Sequence, residues 1–319
     1  MIKKKICVVG GGYWGKNHIK TLNKLNALAG IVEFNQTLAS DYSFQYPDVK
    51  IYSSIDDALE SKIFDGYTIA TPSETHYEIA KHIIAFRKPL LVEKPLALNI
   101  KNAEELVTMA KEYSVNLMVG HLLLFHPAFK KIKEMCNEGY IGNLQYMYSN
   151  RLNFGTIRSN ENVFWSFAPH DISLFQYYAE SNPKDIFSIG TDILQPGIHD
   201  STITTIKYEN GIMGHIFVSW IHPFKEHRFV LIGSKGMLYF EDSKKDKPLL
   251  YFSKSINFKG KVPVAEDKSS TKIEYDFQYP LTEQLKYFID CIGGRDVKIA
   301  NGQSGLDVIN ILERASSCL

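Results

Sequence analysis

The chain has little that would tie it to a membrane, a metal or a polyanion. Its four cysteines, Cys7, Cys136, Cys291 and Cys318, are scattered through 319 residues without C-x-x-C spacing. That argues against a zinc site and a disulfide framework, and it fits a reducing cytoplasmic setting. Neither sign of charge is in excess. With 36 Lys and Arg against 35 Asp and Glu, no broad field draws nucleic acid or an anionic membrane surface. Long apolar runs are missing too: the one following the basic start ends within about four residues at a glycine cluster, too short for a signal peptide, and no window approaches a membrane span. No internal repeat is visible. Small molecules remain the expected partners, and the length accommodates two domains with a core each.

Short β-branched runs at 5–9, 29–33, 67–71, 90–93 and 116–119 alternate with amphipathic stretches at 14–25, 75–86 and 99–113, the last with Asn99 as N-cap. This predicts an α/β domain over 1–121 with a doubly wound parallel sheet. After Pro127 the pattern changes. A helix at 128–137 precedes a one-sided strand at 143–154, and strand-like runs recur at 185–191, 202–208, 212–220, 228–232 and 237–240. Helices at 281–291 and 304–315 close the chain. Residues 122–319 are therefore expected to form an α+β domain with a large, mainly antiparallel open sheet, in which the Lys- and Ser-rich stretch 242–272 makes a hairpin with a mobile excursion.

Directly after the first strand stands Gly10-Gly11-Gly12-Tyr13-Trp14-Gly15, a G-x-G-x-x-G fingerprint opening a helix. Gly10 allows a tight turn, Gly12 lets backbone approach a pyrophosphate, and Gly15 lets helix and strand pack closely. Unpaired N–H groups at the helix start then face the anion, in a loop that includes Tyr13 and Trp14. Glu33 ends the second strand about 20 residues on, where an acid accepts hydrogen bonds from the adenosine ribose. A carboxylate there repels a 2′-phosphate, and Phe34 and Asn35 supply no arginine to hold one. NAD is thus expected rather than NADP.

Leu91-Val92-Glu93-Lys94-Pro95-Leu96 and Ala70-Thr71-Pro72-Ser73-Glu74-Thr75-His76 carry a resemblance. With the glycine fingerprint and the domain order, the chain resembles the glucose-fructose oxidoreductase/inositol dehydrogenase (Gfo/Idh/MocA) family, in which a strand ends in E-K-P and an A-T-P-x-x-x-H turn lies beside the cofactor. The resemblance implies that Thr71, Pro72, His76, Glu93 and Lys94 border the cofactor. Independently, a lysine at the carboxyl end of a parallel strand sits at the rim where such sheets bind ligands. Near a positive nicotinamide ring its pKa should fall, making it a usable base or proton donor.

Phe164-Trp165-Ser166-Phe167-Ala168-Pro169-His170-Asp171 aligns with the family's D-x-G-x-H segment at a helix start, but Ser166 replaces Asp and Ala168 replaces Gly. The family's Lys, Asp and His set is thus incomplete. His170 becomes the expected base, Lys94 the group that orients a hydroxyl and stabilises alkoxide, and Asp171 a helix cap or a partner of the His ring. Arg151, Asn153 and Arg158 run off a strand, and a guanidinium fork suits a diphosphate. His126, before Pro127, either starts a helix or faces the same pocket. These strings resemble family members that oxidise nucleotide sugars. They imply oxidation of a UDP-N-acetylglucosamine 3-hydroxyl in glycan or lipopolysaccharide biosynthesis, with a coupled aminotransferase and a homodimer or homotetramer. A dehydrogenase for a UDP-hexuronic acid, a dTDP-keto sugar or inositol, and a non-catalytic NAD-binding regulator, are the alternatives.

Overall fold

The computed structural model describes residues 4–319, apart from the side chains of Asp267 and Lys268; the first three residues of the basic start lie outside the described residues. The chain divides into two compact units, Met1–Phe125 with Tyr279–Asn310, and His126–Gln278 with Ile311–Leu319. The expectation that 122–319 forms one domain is corrected, because Tyr279–Asn310 packs with the N-terminal unit.

The first unit begins with β1 (Ile6–Val9), α1 (Gly15–Lys24), β2 (Leu28–Val32), α2 (Gln36–Gln45), β3 (Lys50–Tyr52), α3 (Ile55–Glu60), β4 (Gly66–Ile69), α4 (His76–Ala85), β5 (Leu90–Val92), α5 (Ile100–Glu112) and β6 (Leu117–Val119). All strand pairs are parallel, in the order β3-β2-β1-β4-β5-β6. The order reverses between β1 and β4, and such a switch point opens a crevice at the strands' carboxyl ends. Strands covered on both faces read as unbroken apolar runs, and Ile6, Cys7, Val8 and Val9 are all fully buried. Asn99 caps α5 as expected, its side chain accepting from the Asn102 N–H. The sequence reading missed α2, β3 and α3. Helix α2 buries Tyr42 alone among its ten residues and β3 has three residues, so neither carries a readable period.

The second unit holds α6 (Pro127–Asn137), β7 (Leu144–Phe154), α7 (Val163–Ala179), β8 (Pro183–Thr191), β9 (Ser201–Tyr208), β10 (Met213–Ser219), β11 (Ile221–Gly233), β12 (Met237–Glu241), β13 (Leu249–Lys259) and β14 (Val262–Lys272). Its eight-stranded sheet runs β14-β13-β12-β11-β7-β10-β9-β8 and is antiparallel except for β7 beside β10. The expected hairpin in 242–272 is the pair β13 and β14. Helix α7 lies on one face: a Cβ at Gly214 of β10 would meet the Phe175 ring at 2.5 Å, and Phe175 packs on Phe229 of β11 at 5.9 Å. On the same unit Phe187, Ile189, Ile203 and Met213 of β8 to β10 stay exposed.

Helices α8 (Pro280–Ile292) and α9 (Gly302–Ser316) follow. Within the first unit α9 closes on the last strand, since the Val119 N–H donates to Ala300 O at 2.7 Å and a Cβ at Gly305 would come within 2.6 Å of the Val119 side chain. Among the described residues no helix is long and apolar enough to cross a membrane.

Candidate active site

The glycine loop has the backbone that the fingerprint requires. Gly10 takes φ +89°, and a Cβ there would lie 2.8 Å from the Thr71 side chain. At Gly15 a Cβ would fall 1.9 Å from Gly10 O, so only glycine lets α1 start this close to β1. At Gly12 a Cβ would meet nothing within 4 Å. The open space over Gly12, and a first helical turn without acidic residues, fit a pyrophosphate laid on the α1 N-terminus.

Glu33 is placed differently from the simple expectation. Its Oε2 accepts the Gly11 N–H at 2.7 Å and its Oε1 the Asn35 N–H at 2.8 Å, so the carboxylate first of all holds the glycine loop to the end of β2. A carboxylate has about four acceptor positions, which leaves capacity for ribose hydroxyls. Tyr42, absent from the sequence reading, braces the same loop by donating its hydroxyl to Gly11 O at 2.5 Å.

The two family-like turns are tied together by His76, which is buried and whose Nδ1 and Nε2 face Pro95 O at 2.7 Å and Thr71 O at 2.9 Å. Thr71 also accepts the Thr75 hydroxyl at 2.7 Å. Ahead of Lys94, Glu93 receives the Trp14 indole N–H at 2.6 Å and lies 2.8 Å from His18 Nε2. Burial pushes the Glu93 pKa up, but the interactions with His18, Trp14 and Lys94 outweigh it and the net direction is down. Tyr13, 84% exposed, stands open at the loop with Lys16 over its ring.

In the second unit several expectations change. His170 is not at a helix start but in the middle of α7, after the internal Pro169, and Asn162 is the N-cap that accepts from the Trp165 N–H. Asp171 therefore caps nothing. It is 2% exposed and takes both arms of Arg151, Nε to Oδ2 at 2.7 Å and Nη2 to Oδ1 at 3.0 Å. The fork assigned to a diphosphate is thus turned onto Asp171, and the pair anchors α7 to β7 one residue from His170. Burial alone would lower the Arg151 pKa, but Asp171 outweighs it and the net direction is up. His227, opposite Arg151 in the β7–β11 register, is pushed down to about 3, by burial first and then by the Arg151 charge.

His126 stands at a helix start, the first of the two readings the sequence left open. It is 1% exposed and caps α6, Nδ1 accepting the Ala128 N–H at 3.1 Å, among the rings of Phe129, Phe240, Tyr275 and Phe277. Burial lowers its pKa to about 4. Asn153 is half-buried near the end of β7, while the Arg158 side chain is 52% exposed with Glu161 at 3.6 Å. Among the described residues no cluster of His, Cys, Asp and Glu could hold a metal. Sequence reasoning missed His18, although it stands one helical turn after Trp14 and on the buried side of α1. Tyr42 and the pairing of Arg151 with Asp171 left no local signal.

A parallel sheet in Rossmann order, a glycine loop with open space over Gly12, and a lysine at the end of β5 define a dinucleotide-binding oxidoreductase. The comparisons refine this class. A family signature described as "Oxidoreductase family, NAD-binding Rossmann fold" matches residues 4–121, and one described as "GFO/IDH/MocA C-terminal domain" matches residues 129–239. The chain belongs to the GFO/IDH/MocA family of NAD-binding oxidoreductases. It is 23% identical over 329 residues to an oxidoreductase of Bacillus subtilis, YrbE, across 98% of this chain and 93% of that one. It is 28% identical over 191 residues to the UDP-N-acetylglucosamine 3-dehydrogenase of Acidithiobacillus ferrooxidans, across 60% of this chain and 59% of that one. The solved structure of that organism's UDP-N-acetylglucosamine 3-dehydrogenase GnnA shares the fold with a TM-score of 0.87, at 21% identity over 100% of this chain and 98% of that one.

Proposed function

We propose that this chain oxidises the 3-hydroxyl of a nucleotide sugar, a UDP-N-acetylhexosamine, to a 3-keto product destined for transamination in glycan biosynthesis. The observation that carries the reading is Lys94 at the carboxyl end of β5, where the neighbouring Glu93 is fixed by Trp14 and His18. NAD, when bound on the glycine loop, supplies the hydride acceptor. His170 takes the proton of the sugar hydroxyl, and the anchoring of α7 through Asp171 and Arg151 sets where its ring stands. Lys94 orients the hydroxyl and stabilises the developing alkoxide. Arg158, with its fork outside any buried pair, contacts the diphosphate, and Asn153 the sugar.

The similarity to an enzyme named UDP-N-acetylglucosamine 3-dehydrogenase supports this substrate class. The test is NADH formation by the purified chain with UDP-N-acetylglucosamine, with an aminotransferase and glutamate present to draw off the ketone. No NADH under those conditions would remove the substrate assignment; turnover in a parallel panel with a UDP-hexuronic acid, a dTDP-keto sugar or inositol would replace it. The exposed Phe187, Ile189, Ile203 and Met213 fit burial between copies, so a homodimer or homotetramer is part of the proposal. Light scattering at a monomer mass would strike that part.

A further inference from the structure

Beneath the end of β5 lies a buried polar layer that the proposed reaction has not used. Glu93 is 8% exposed. One of its oxygens takes the Trp14 and His18 nitrogens, while the other accepts the Lys94 N–H at 3.3 Å and would lie 2.7 Å from a Cβ at Gly120. His18 and Gln284 are fully buried and His121 is 1% exposed. His18 Nδ1, both ring nitrogens of His121 and both amide atoms of Gln284 have no hydrogen-bond partner among the described residues.

The packing puts these groups at one level. Helix α8 ends near the amino ends of the strands: Ile292 would lie 2.6 Å from a Cβ at Gly66, the first residue of β4, and Cys291 O accepts the Asn116 amide at 3.1 Å. The opening turns of α8, which carry Gln284, therefore lie toward the carboxyl ends. There α8 packs on α1, whose first turn bears His18, and on the 3-10 turn Leu122–Phe125 that directly follows His121. Burial lowers the His121 pKa to about 4, so near neutral pH the ring offers one donor and one acceptor. Gln284 offers both kinds. Buried polar atoms of this sort are kept where ordered water satisfies them, each water making two to four bonds.

We propose that His18, His121 and Gln284 hold ordered water against Glu93, and that this wetted layer, locked by Trp14, is the positioning device for Lys94. It rests on the dehydrogenase reading. Through Trp14 the glycine loop and the lysine strand share one carboxylate, and through the Lys94 N–H any shift of that carboxylate reaches the lysine backbone. None of the four residues His18, Glu93, His121 and Gln284 needs to touch the sugar for this.

The test uses the full chain, with NADH affinity read by fluorescence titration and kcat and KM measured with the nucleotide sugar that the wild type turns over. Trp14→Phe keeps an aromatic ring at this position but removes the indole N–H together with the rest of the five-membered ring. A hydrogen bond to a charged group is worth about ten- to a hundredfold, so kcat falls by about that factor while the sugar KM stays within about twofold. In a Glu93→Gln background, where the amide oxygen accepts only a weaker, neutral bond, Trp14→Phe costs less than it does in the wild type. A high-resolution crystal structure shows water within hydrogen-bond reach of His121 and Gln284. A dry layer, or a folded Trp14→Phe protein with unchanged NADH affinity and kcat, overturns the proposal. Should Glu93→Gln not fold, Trp14→Phe and the water positions still decide. Wild-type protein that binds NADH but turns over no sugar defeats the dehydrogenase reading instead, leaving the water and the NADH titration to judge the layer.

Discussion

Asp171→Ala is the substitution with the largest effect that the second unit predicts. It leaves the Arg151 guanidinium, 13% exposed, without the carboxylate that faces its Nε and Nη2 at 2.7 and 3.0 Å. Removing one partner of a buried pair costs about 3–5 kcal/mol, because the surviving charge has given up water and gained nothing for it. One kcal/mol moves the melting midpoint of a unit of this size by about 2–4 °C, so a fall of roughly 10 °C is expected. Calorimetry of four proteins separates the causes: wild type, Asp171→Ala, Arg151→Met, and the double variant Arg151→Met with Asp171→Leu. Replacing both charges by apolar side chains restores most of the loss, since no buried charge remains. The double variant still lacks the bond that anchors α7 beside His170, so its kcat stays at least about tenfold down while its midpoint recovers. An Asp171→Ala protein melting within about 2 °C of wild type would refute the argument. So would a double variant as unstable as the single one.

Gly12→Ala and Gly15→Ala should part company. The first has open space and melts within about 0.5 kcal/mol of wild type, yet its methyl occupies the pyrophosphate side and weakens NADH binding about tenfold or more by fluorescence titration. The second drives a methyl into Gly10 O, so thermal stability falls by about 1–3 kcal/mol as well. Acid should destabilise the fold over a defined window. His121 and His126 have folded pKa values of about 4, whereas the unfolded chain takes up these protons near 6.5. The unfolded state binds more protons in between, so stability is full above about pH 6.5 and falls as pH drops toward 4. Urea midpoints against pH check this, and His126→Asn, which keeps a capping oxygen, flattens the slope; an unchanged slope refutes it.

What could be read from the sequence divides by how local the physical constraint is. Gly10, Gly12 and Gly15 were legible because the demand on each is made within a few residues: a positive φ, an open approach, a contact with the preceding turn. Strands buried on both faces announced themselves as apolar runs, and Asn99 as a cap, for the same reason. Helix α2 did not, because it buries one residue and so has no stripe. The return of Tyr279–Asn310 to the first unit was invisible, since an amphipathic helix shows that it has an apolar face but not which core receives it.

Arginines make the point most sharply. Arg151 and Arg158 stand seven positions apart, and sequence chemistry offers the same fork to the same diphosphate in both. What separates them is a carboxylate on α7. Arg151 faces inward from β7 and meets Asp171, while Arg158 lies beyond the strand end with its side chain 52% exposed. A guanidinium already bonded in two places offers a second anion only its remaining N–H groups, and a binding role for it would require breaking a buried pair. The diphosphate expectation therefore passes to Arg158, and Arg151 becomes the residue through which β7 holds the helix of His170.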